Sequence, residues 1–198
     1  MPLRDQSASA ISVGGGPEVV ASRIVYKGRV ITVRVDDVRL PDGQSVTREV
    51  VDHPGAVVIA ALDSQGDVTL VVQYRHAVGD RLLELPAGTL EPGEEPLHTA
   101  ARELREEAGL TAERWDRLGS FFSSPGILRE EMHAFLARDL TQIPAEPESD
   151  EDITLVHRSL LSLLEDPRDV PDSKSLATLL LVERFLAAEA SGGQTAGG

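Results

Sequence analysis

The sequence predicts an α/β to α+β fold in which a mixed β-sheet is sandwiched between helices, with a small antiparallel sheet at its N-terminal end. Two apolar runs, residues 56–62 and 68–74, have the near-continuous hydrophobicity of strands that are buried on both faces. Between Pro96 and Gly109 the chain has the proline start and the glycine stop of a helix. Strands and helices in this order form layered, mixed folds.

The N-terminal sheet is predicted from residues 23–51, which are rich in Val, Ile and Thr. Two short segments, 27–28 and 41–43, interrupt this run and are typical of hairpin turns. The residues before it lack the basic and apolar regions of a signal peptide. The predicted organisation is a flexible leader over 1–20, an N-terminal antiparallel sheet over 21–54, a main domain over 55–190 and a flexible tail over 191–198.

The main domain continues with further strands and helices. A short segment over 82–85 precedes a loop rich in proline and glycine, after which the helix of residues 96–108 begins. Later strands are predicted over 115–122, 132–137 and 153–157, and the last helices over 160–165 and 173–190.

Composition excludes several classes of partner. The formal net charge is −14 and the isoelectric point is near 4.7, so the average field repels nucleic-acid backbones and anionic membranes. No apolar run reaches the roughly 18 residues that a membrane span needs. The absence of cysteine removes disulfide and thiolate chemistry and is compatible with a cytoplasmic location. A small polyanionic substrate would therefore need placed arginines or bound cations.

The predicted helix over 96–108 has two chemically different faces. An apolar stripe is expected to face the core and consists of Leu97, Ala100, Ala101, Leu104 and Ala108. Glu103, Glu106 and Glu107 share a second face, rotated from the stripe by more than a right angle. Like charges at this spacing destabilise an isolated helix by roughly 0.2 to 0.5 kcal/mol per pair. Two interpretations are open: a cluster that binds a hard divalent cation, and a solvated acidic face.

The sequence around this helix favours the metal-binding interpretation. Residues 88–110 read Gly88, five residues, Glu94, seven residues, Arg102-Glu103-Leu104, one residue, Glu106-Glu107, one residue, and Gly109-Leu110. This spacing is similar to the complete Nudix box signature, and a chance match at nine specified positions is improbable at average residue usage. The chain therefore resembles the Nudix hydrolases, with residues 55–190 as the Nudix domain.

The resemblance implies a metal-dependent site on the box helix. Glu103 and Glu107 would be direct metal ligands, and Glu106 a further or water-mediated ligand with a catalytic role. The Ala87 carbonyl would be a backbone ligand, and Arg102 would orient the carboxylates. The ions would be Mg²⁺, with Mn²⁺ as a substitute, in a set of two or three.

Segments outside the box resemble the ADP-ribose pyrophosphatase subgroup of Nudix hydrolases. These segments are 73–75, 83–88 and 124–126, and Pro125 lies sixteen residues after Gly109, as it does in that subgroup. The implied reaction is hydrolysis of ADP-ribose to AMP and ribose 5-phosphate. The implied substrate contacts are Arg75, Arg48, Glu49, Glu84, Gly88 and Glu130.

Each substrate contact has a structural alternative. Arg75 would present its guanidinium to a phosphate or to adenine, and the alternative is a salt bridge at the end of a strand. Arg48 and Glu49 would contact adenine, and the alternative is a solvated cross-strand pair.

A general base is also needed, because the attacking water must lose a proton. The subgroup places this glutamate in an acidic loop that corresponds to residues 148–152, where Glu151 aligns best and Glu148 is the reserve. A solvated acidic loop is the alternative for either residue. Glu94 is expected to fix the geometry of the box loop by a salt bridge or hydrogen bond. The five histidines show no metal-ligand spacing and are expected to be structural or surface residues.

One loop departs from the subgroup. After Ser-Pro-Gly the subgroup ends in Asp-Glu, whereas this chain continues over 127–130 with Ile, Leu, Arg and Glu, so that only Glu130 is retained. ADP-glucose, GDP-mannose and NADH are therefore alternative substrates. A non-catalytic module that binds a nucleotide sugar is the alternative from another class. The resemblance further implies a homodimer in which the N-terminal sheets are exchanged between subunits.

Overall fold

The computed structural model describes residues 16–145 and 152–193. The chain consists of two compact units, Met1–Asp52 and His53–Gly198. The Glu148 and Glu151 predicted as candidate bases lie outside the described residues. Among the described residues, no helix combines the length and the apolar character needed to span a membrane.

The first unit is an antiparallel sheet of three successive strands, β1 (Glu18–Lys27), β2 (Thr32–Arg39) and β3 (Ser45–Asp52). Both predicted hairpin turns are confirmed, since the strands are interrupted at residues 28–31 and 40–44. β1 begins five residues before the predicted start of the strand run at residue 23. Gly43 occupies the left-handed region with a φ of 86°, which explains the glycine in the second turn.

The second unit contains one mixed sheet and three α-helices. Its strands are β4 (Ala56–Leu62), β5 (Asp67–Arg75), β6 (Asp80–Glu84), β7 (Ala87–Thr89), β8 (Leu110–Phe122), β9 (Leu128–Arg129), β10 (Glu131–Gln142) and β11 (Ile153–Ser159), and its helices are α1 (Pro96–Ala108), α2 (Leu160–Glu165) and α3 (Ser173–Gly193), with a 3₁₀ turn at Pro167–Asp169. The sheet order is β11-β5-β4-β10-β8; β6 pairs with β5 and β7 with β4. β4 and β10 run parallel.

The central strand β4 separates two hydrophobic cores. Every residue of β4 is buried, as its unbroken apolar sequence predicts. Val58 and its neighbours on one face pack in a cluster with Leu163 of α2 and Leu179 of α3. Ile59 and its neighbours on the other face pack in a cluster with Leu104 of α1. Helices therefore cover both faces of the sheet, and the predicted fold class is confirmed.

Helix α1 has the boundaries that the sequence predicts, Pro96–Ala108. Gly109 ends it with a φ of 61°, and its N–H donates to the carbonyls of Arg105 and Leu104. A Cβ at Gly109 would lie 2.7 Å from the Ile143 carbonyl oxygen, so a side chain would be excluded even without the backbone requirement.

The predicted core face of α1 is wrong in part. Leu97 is 42% exposed and Ala101 is also exposed. The buried positions are Thr99, Ala100, Glu103, Leu104, Glu107 and Ala108. They follow the three-and-four spacing of one helical stripe. The predicted stripe was chosen by hydrophobicity alone and therefore left out Glu103 and Glu107. Glu103 and Glu107 are thus part of the buried face, not of a separate acidic one.

Candidate active site

Arg102 is the charged centre of the box helix. Its Nη1 donates to Glu103 Oε1 at 2.7 Å and to Glu106 Oε2 at 3.0 Å, and its Nη2 contacts Glu94 Oε2 at 3.3 Å. Burial acts to lower the pKa of Arg102, but the hydrogen bond to Glu94, the charge of Glu103 and the hydrogen bond to Glu106 together raise it above its ordinary value. The same hydrogen bond lowers the pKa of Glu94. Arg102 therefore orders three carboxylates around one permanent positive charge.

Glu103 and Glu107 are buried against the short strand β7. Glu103 is 8% exposed and Glu107 is 4% exposed. The Ala87 N–H donates to Glu107 Oε2 at 3.0 Å. A Cβ at Gly88 would lie only 1.9 Å from Glu103 Cδ, so glycine is required for the carboxylate to approach the backbone. The structure thus brings Ala87, Gly88, Glu103 and Glu107 together.

The carboxylates do not form a ready-made metal cage. Among residues 16–145 and 152–193, no three Asp, Glu or His side chains are grouped so that they could hold a metal ion. The contacts of Arg102 give the physical reason, because this guanidinium draws Glu103 and Glu106 toward itself. The donor set is nevertheless the hard oxygen type that Mg²⁺ and Mn²⁺ prefer, and Gly88 lets the Glu103 carboxylate lie directly against the backbone of β7.

A cavity of about 430 Å³ adjoins β7, the strand against which Glu103 and Glu107 are buried. Its charged and titratable lining residues are His53, Arg75, Glu84, Glu130, Asp172 and Lys174, and its backbone lining includes Ala87 and Gly88. Ala87 and Gly88 thus belong to both the carboxylate cluster and the cavity. A ligand in the cavity would lie beside β7, against which Glu103 and Glu107 are buried.

Arg75 and Glu84 form a two-pronged ion pair in the cavity wall. Arg75 Nε donates to Glu84 Oε1 at 2.9 Å, and Nη2 donates to Oε2 at 2.6 Å. This is the strand-end salt bridge that the sequence left as the alternative for Arg75. The Arg75 side chain is 37% exposed, whereas that of Glu84 is 2% exposed. Both side chains line the cavity, and the predicted contact Glu84 is much less exposed than Arg75.

Residues at the start of α3 complete this wall, although sequence analysis assigned them no role in the site. Lys174 Nζ donates to Glu84 Oε2 and, at 2.7 Å, to Asp172 Oδ2. Asp172 also accepts the Ser175 N–H at 3.0 Å, as an N-cap residue does. The capping pattern is local and can be recognised in the sequence. The contact between Lys174 and Glu84 cannot, because the two residues are 90 positions apart.

Glu130, the retained residue of the divergent loop, lies on the lining of the same cavity. It accepts the Ser123 hydroxyl at 2.6 Å, and its Oε1 is 3.5 Å from His53 Nδ1. The Gly55 N–H donates to His53 Nδ1 at 3.1 Å, which fixes the orientation of the ring. His53, expected to be structural, is thus also part of the cavity wall.

Arg48 and Glu49 occupy exposed positions of β3 in the first unit. Arg48 Nη1 donates to the Thr47 carbonyl at 3.1 Å. Their cross-strand neighbours on β2 are Asp36 and Val35. Adenine contact by these residues stays a prediction.

Comparisons with known proteins match both parts of the chain. The NUDIX domain model matches residues 51–185, and the model of the nucleoside diphosphate sugar hydrolase N-terminal domain matches residues 18–51. An ADP-ribose pyrophosphatase of Bacillus subtilis is 39% identical over 163 residues, which cover 80% of this chain and 88% of that protein. An ADP-ribose pyrophosphatase of Mycobacterium tuberculosis is 45% identical over 141 residues, which cover 70% and 68%.

Among solved structures, a crystal structure of an ADP compounds hydrolase superposes with a TM-score of 0.78. The match covers 88% of this chain and 96% of that one at 24% identity. The two proteins share a fold.

Proposed function

Because the chain belongs to the Nudix family, we propose that it hydrolyses the pyrophosphate bond of ADP-ribose to give AMP and ribose 5-phosphate. The observation that carries this proposal is the burial of Glu103 and Glu107 against Ala87-Gly88, beside a cavity with Arg75 in its wall. The ADP-ribose pyrophosphatases of the two bacteria support the choice of substrate.

The proposed cofactor is Mg²⁺, with Mn²⁺ as a substitute, in two or three ions. Nudix hydrolases in general use divalent metal ions. Here Glu103, Glu106, Glu107 and the Ala87 carbonyl would hold them, in keeping with the oxygen preference of these cations. When bound, such ions neutralise the charge of the diphosphate and lower the pKa of the attacking water.

The protein's own residues would perform the remaining steps. Arg102 keeps the box carboxylates ordered, and Arg75 binds a phosphate oxygen of the substrate. Glu151, or Glu148 in reserve, would accept a proton from the water that attacks one phosphorus. The bridging P–O bond then breaks, and the two monophosphates leave.

The proposed assembly is a homodimer that exchanges its N-terminal sheets and acts in the cytoplasm. Arg48 and Glu49 of one protomer would contact adenine in the site of its partner. Support comes from β1, in which every residue is exposed, including the apolar Val20, Ile24 and Tyr26. Exposed apolar surface of this kind is typical of an interface.

Product analysis tests the proposed reaction. The purified protein would be incubated with Mg²⁺ or Mn²⁺ and, separately, ADP-ribose, ADP-glucose, GDP-mannose, NADH and diadenosine polyphosphates. We expect ADP-ribose to have the highest kcat/KM and to yield AMP and ribose 5-phosphate in equal amounts. A higher kcat/KM for another compound would reassign the substrate, and binding of ADP-ribose without turnover would support a non-catalytic module.

Replacement of Glu107 by Gln tests the role of the box carboxylate. The amide oxygen of Gln can still accept the Ala87 N–H, so the variant should fold. We expect kcat to fall by about a hundredfold or more, because the charge that would hold the cation is lost. The matched control is Glu113→Gln, which makes the same change at an exposed position of β8 and should keep wild-type turnover.

A further inference from the structure

We propose that Lys174, with its partner Asp172, is a positioning residue for the substrate-binding guanidinium of Arg75. It would act through Glu84, without touching the substrate. This inference rests on the proposed function, because it assigns a role in substrate binding to residues that the proposed reaction does not use.

The first observation is the way in which Glu84 shares its oxygens. Glu84 Oε1 accepts from Arg75 Nε, while Oε2 accepts from both Arg75 Nη2 and Lys174 Nζ. Two positively charged side chains on different elements, β5 and α3, thus orient one carboxylate. Since a fork-to-fork contact aligns the planes of the two groups, the orientation of Glu84 sets that of Arg75.

The second observation is that this network has little freedom to rearrange. The exposed fractions of the Glu84, Lys174 and Asp172 side chains are 2%, 14% and 15%. A buried carboxylate needs charged partners to remain ionised, because burial removes the hydration that stabilises its charge. The positive charge of Lys174 therefore stabilises the ionised form of Glu84, and this attraction keeps the two side chains in contact.

The third observation concerns the atoms that remain available to a ligand. Within residues 16–145 and 152–193, Nη1 of Arg75 has no hydrogen-bond partner, and the side chain is the most exposed of the four. Lys174 Nζ, in contrast, already contacts two carboxylates. Of these four side chains, Arg75 can thus donate to a phosphate oxygen. Lys174 instead keeps Glu84, and through it Arg75, in position.

The start of α3 is also hydrogen-bonded to the backbone of the segment that precedes the Nudix box, at Leu85. The Leu85 N–H donates to Ser175 Oγ at 2.7 Å, and Ser175 Oγ in turn donates to Asp172 Oδ2 at 2.6 Å. Leu85 is separated by one residue from Ala87, whose N–H contacts Glu107. The cap of α3 and the box carboxylates therefore hold opposite ends of one short segment.

Steady-state kinetics of a double-mutant cycle test the proposal. With Lys174→Met we expect KM for ADP-ribose to rise on the order of tenfold, while kcat stays within about twofold. Arg75→Ala should raise KM at least as much. Combined with Arg75→Ala, the Lys174→Met change should add less than about twofold, because both act through one guanidinium. Lys174→Arg, which can contact the same carboxylates, should restore a low KM.

Arg168→Met is the matched control for charge. It removes one positive charge from an exposed side chain that pairs with Asp166, and it should leave KM unchanged. Full additivity of the Arg75 and Lys174 changes would overturn the proposal by showing that Lys174 acts independently of Arg75. A wild-type KM for Lys174→Met would overturn it as well.

A binding measurement separates this inference from the proposed reaction. Calorimetry with ADP-ribose and EDTA reports Kd without turnover, and circular dichroism checks that each variant is folded. A weaker Kd for Lys174→Met, restored by Lys174→Arg, supports the inference even if the wild type does not hydrolyse ADP-ribose. Equal Kd values for wild type and Lys174→Met overturn it whatever the turnover; Lys174→Gln gives a second test if the Met variant does not fold.

Discussion

Gly88 shows how a single position can control the candidate site. Its backbone lies against the Glu103 carboxyl group, where a Cβ would meet Cδ at 1.9 Å and Oε1 at 2.0 Å. Ala87, the preceding residue, is hydrogen-bonded to Glu107. The spacing of the two box carboxylates therefore depends on the absence of one side chain.

Replacement of Gly88 by Ala should displace Glu103 or β7 and reduce turnover strongly. Overpacking of this kind costs about 1 to 3 kcal/mol of folding free energy, so a folded variant is expected. Urea unfolding and kcat would be measured together. Gly192→Ala is the control, because a Cβ there meets nothing within 4 Å. Wild-type kcat in Gly88→Ala would show that the close approach is not needed.

Glu84 should make stability depend on pH. Burial acts to raise its pKa, but the hydrogen bond from Arg75 and the charge of Lys174 hold it below the ordinary value of 4.5. A depressed carboxyl pKa gives stability that is present above the unfolded pKa and is lost as pH falls through the folded one. The wild type should therefore lose stability as the pH drops below 4.5.

Urea unfolding between about pH 3 and about pH 7 checks this expectation. Glu84→Gln should be less stable at neutral pH, because Arg75 and Lys174 lose the negative charge that they share, and it should lose less on acidification. Glu113→Gln, at an exposed position, should follow the wild-type curve. Parallel curves for Glu84→Gln and wild type would contradict the assignment.

At the scale of the element, α1 shows what the sequence can and cannot predict. Pro96 and Gly109 specify the two ends locally, so the predicted boundaries are correct. The buried face depends on which neighbours the helix meets. Glu103 and Glu107 are buried because β7 packs on them, and no local pattern contains that information. Hydrophobicity therefore assigned Leu97 and Ala101 to the core incorrectly.

The corrected face of α1 predicts a difference between two leucines. Leu104 is fully buried, whereas Leu97 is 42% exposed. Leu104→Ala should lower the free energy of unfolding by about 2 to 5 kcal/mol, as for other buried leucines. Leu97→Ala should cost less than about 1 kcal/mol. Chemical denaturation measures both, and equal losses would contradict the orientation of α1.

The start of α3 shows a second limit. A helix start was predicted at residue 173, and the structure agrees. The contact of Lys174 with Glu84 spans 90 residues and joins two elements that only the tertiary fold brings together. A lone lysine at a helix start is usually solvated, so sequence reasoning had no signal for this role.

At the scale of the whole molecule, the exposed β1 strand predicts an oligomer. The mass by light scattering should be about twice the 21.3 kDa of one chain. Ile24→Glu should shift the protein toward the monomer, because a charge would replace a side chain that is 65% exposed in one chain. Leu180→Glu is the control on α3, where the leucine is 55% exposed. A wild-type mass of 21.3 kDa would contradict the proposed homodimer.

The negative charge of the whole molecule explains why the site must be built locally. With a net charge of −14, the average field opposes a diphosphate, so under the proposed function affinity would come from Arg75 and from cations on the box carboxylates. Composition predicted this need, and the box spacing predicted the carboxylates. The cavity that joins them required the tertiary structure, because its walls come from distant segments of the chain.

Anomalous diffraction from crystals grown with Mn²⁺ and AMP tests the metal assignment most directly. We expect manganese peaks within bonding distance of the Glu103 and Glu107 carboxylates, with Arg102 still in contact with Glu106 or Glu94. Manganese bound elsewhere, with both of these carboxylates bare while the nucleotide occupies the cavity, would contradict the account.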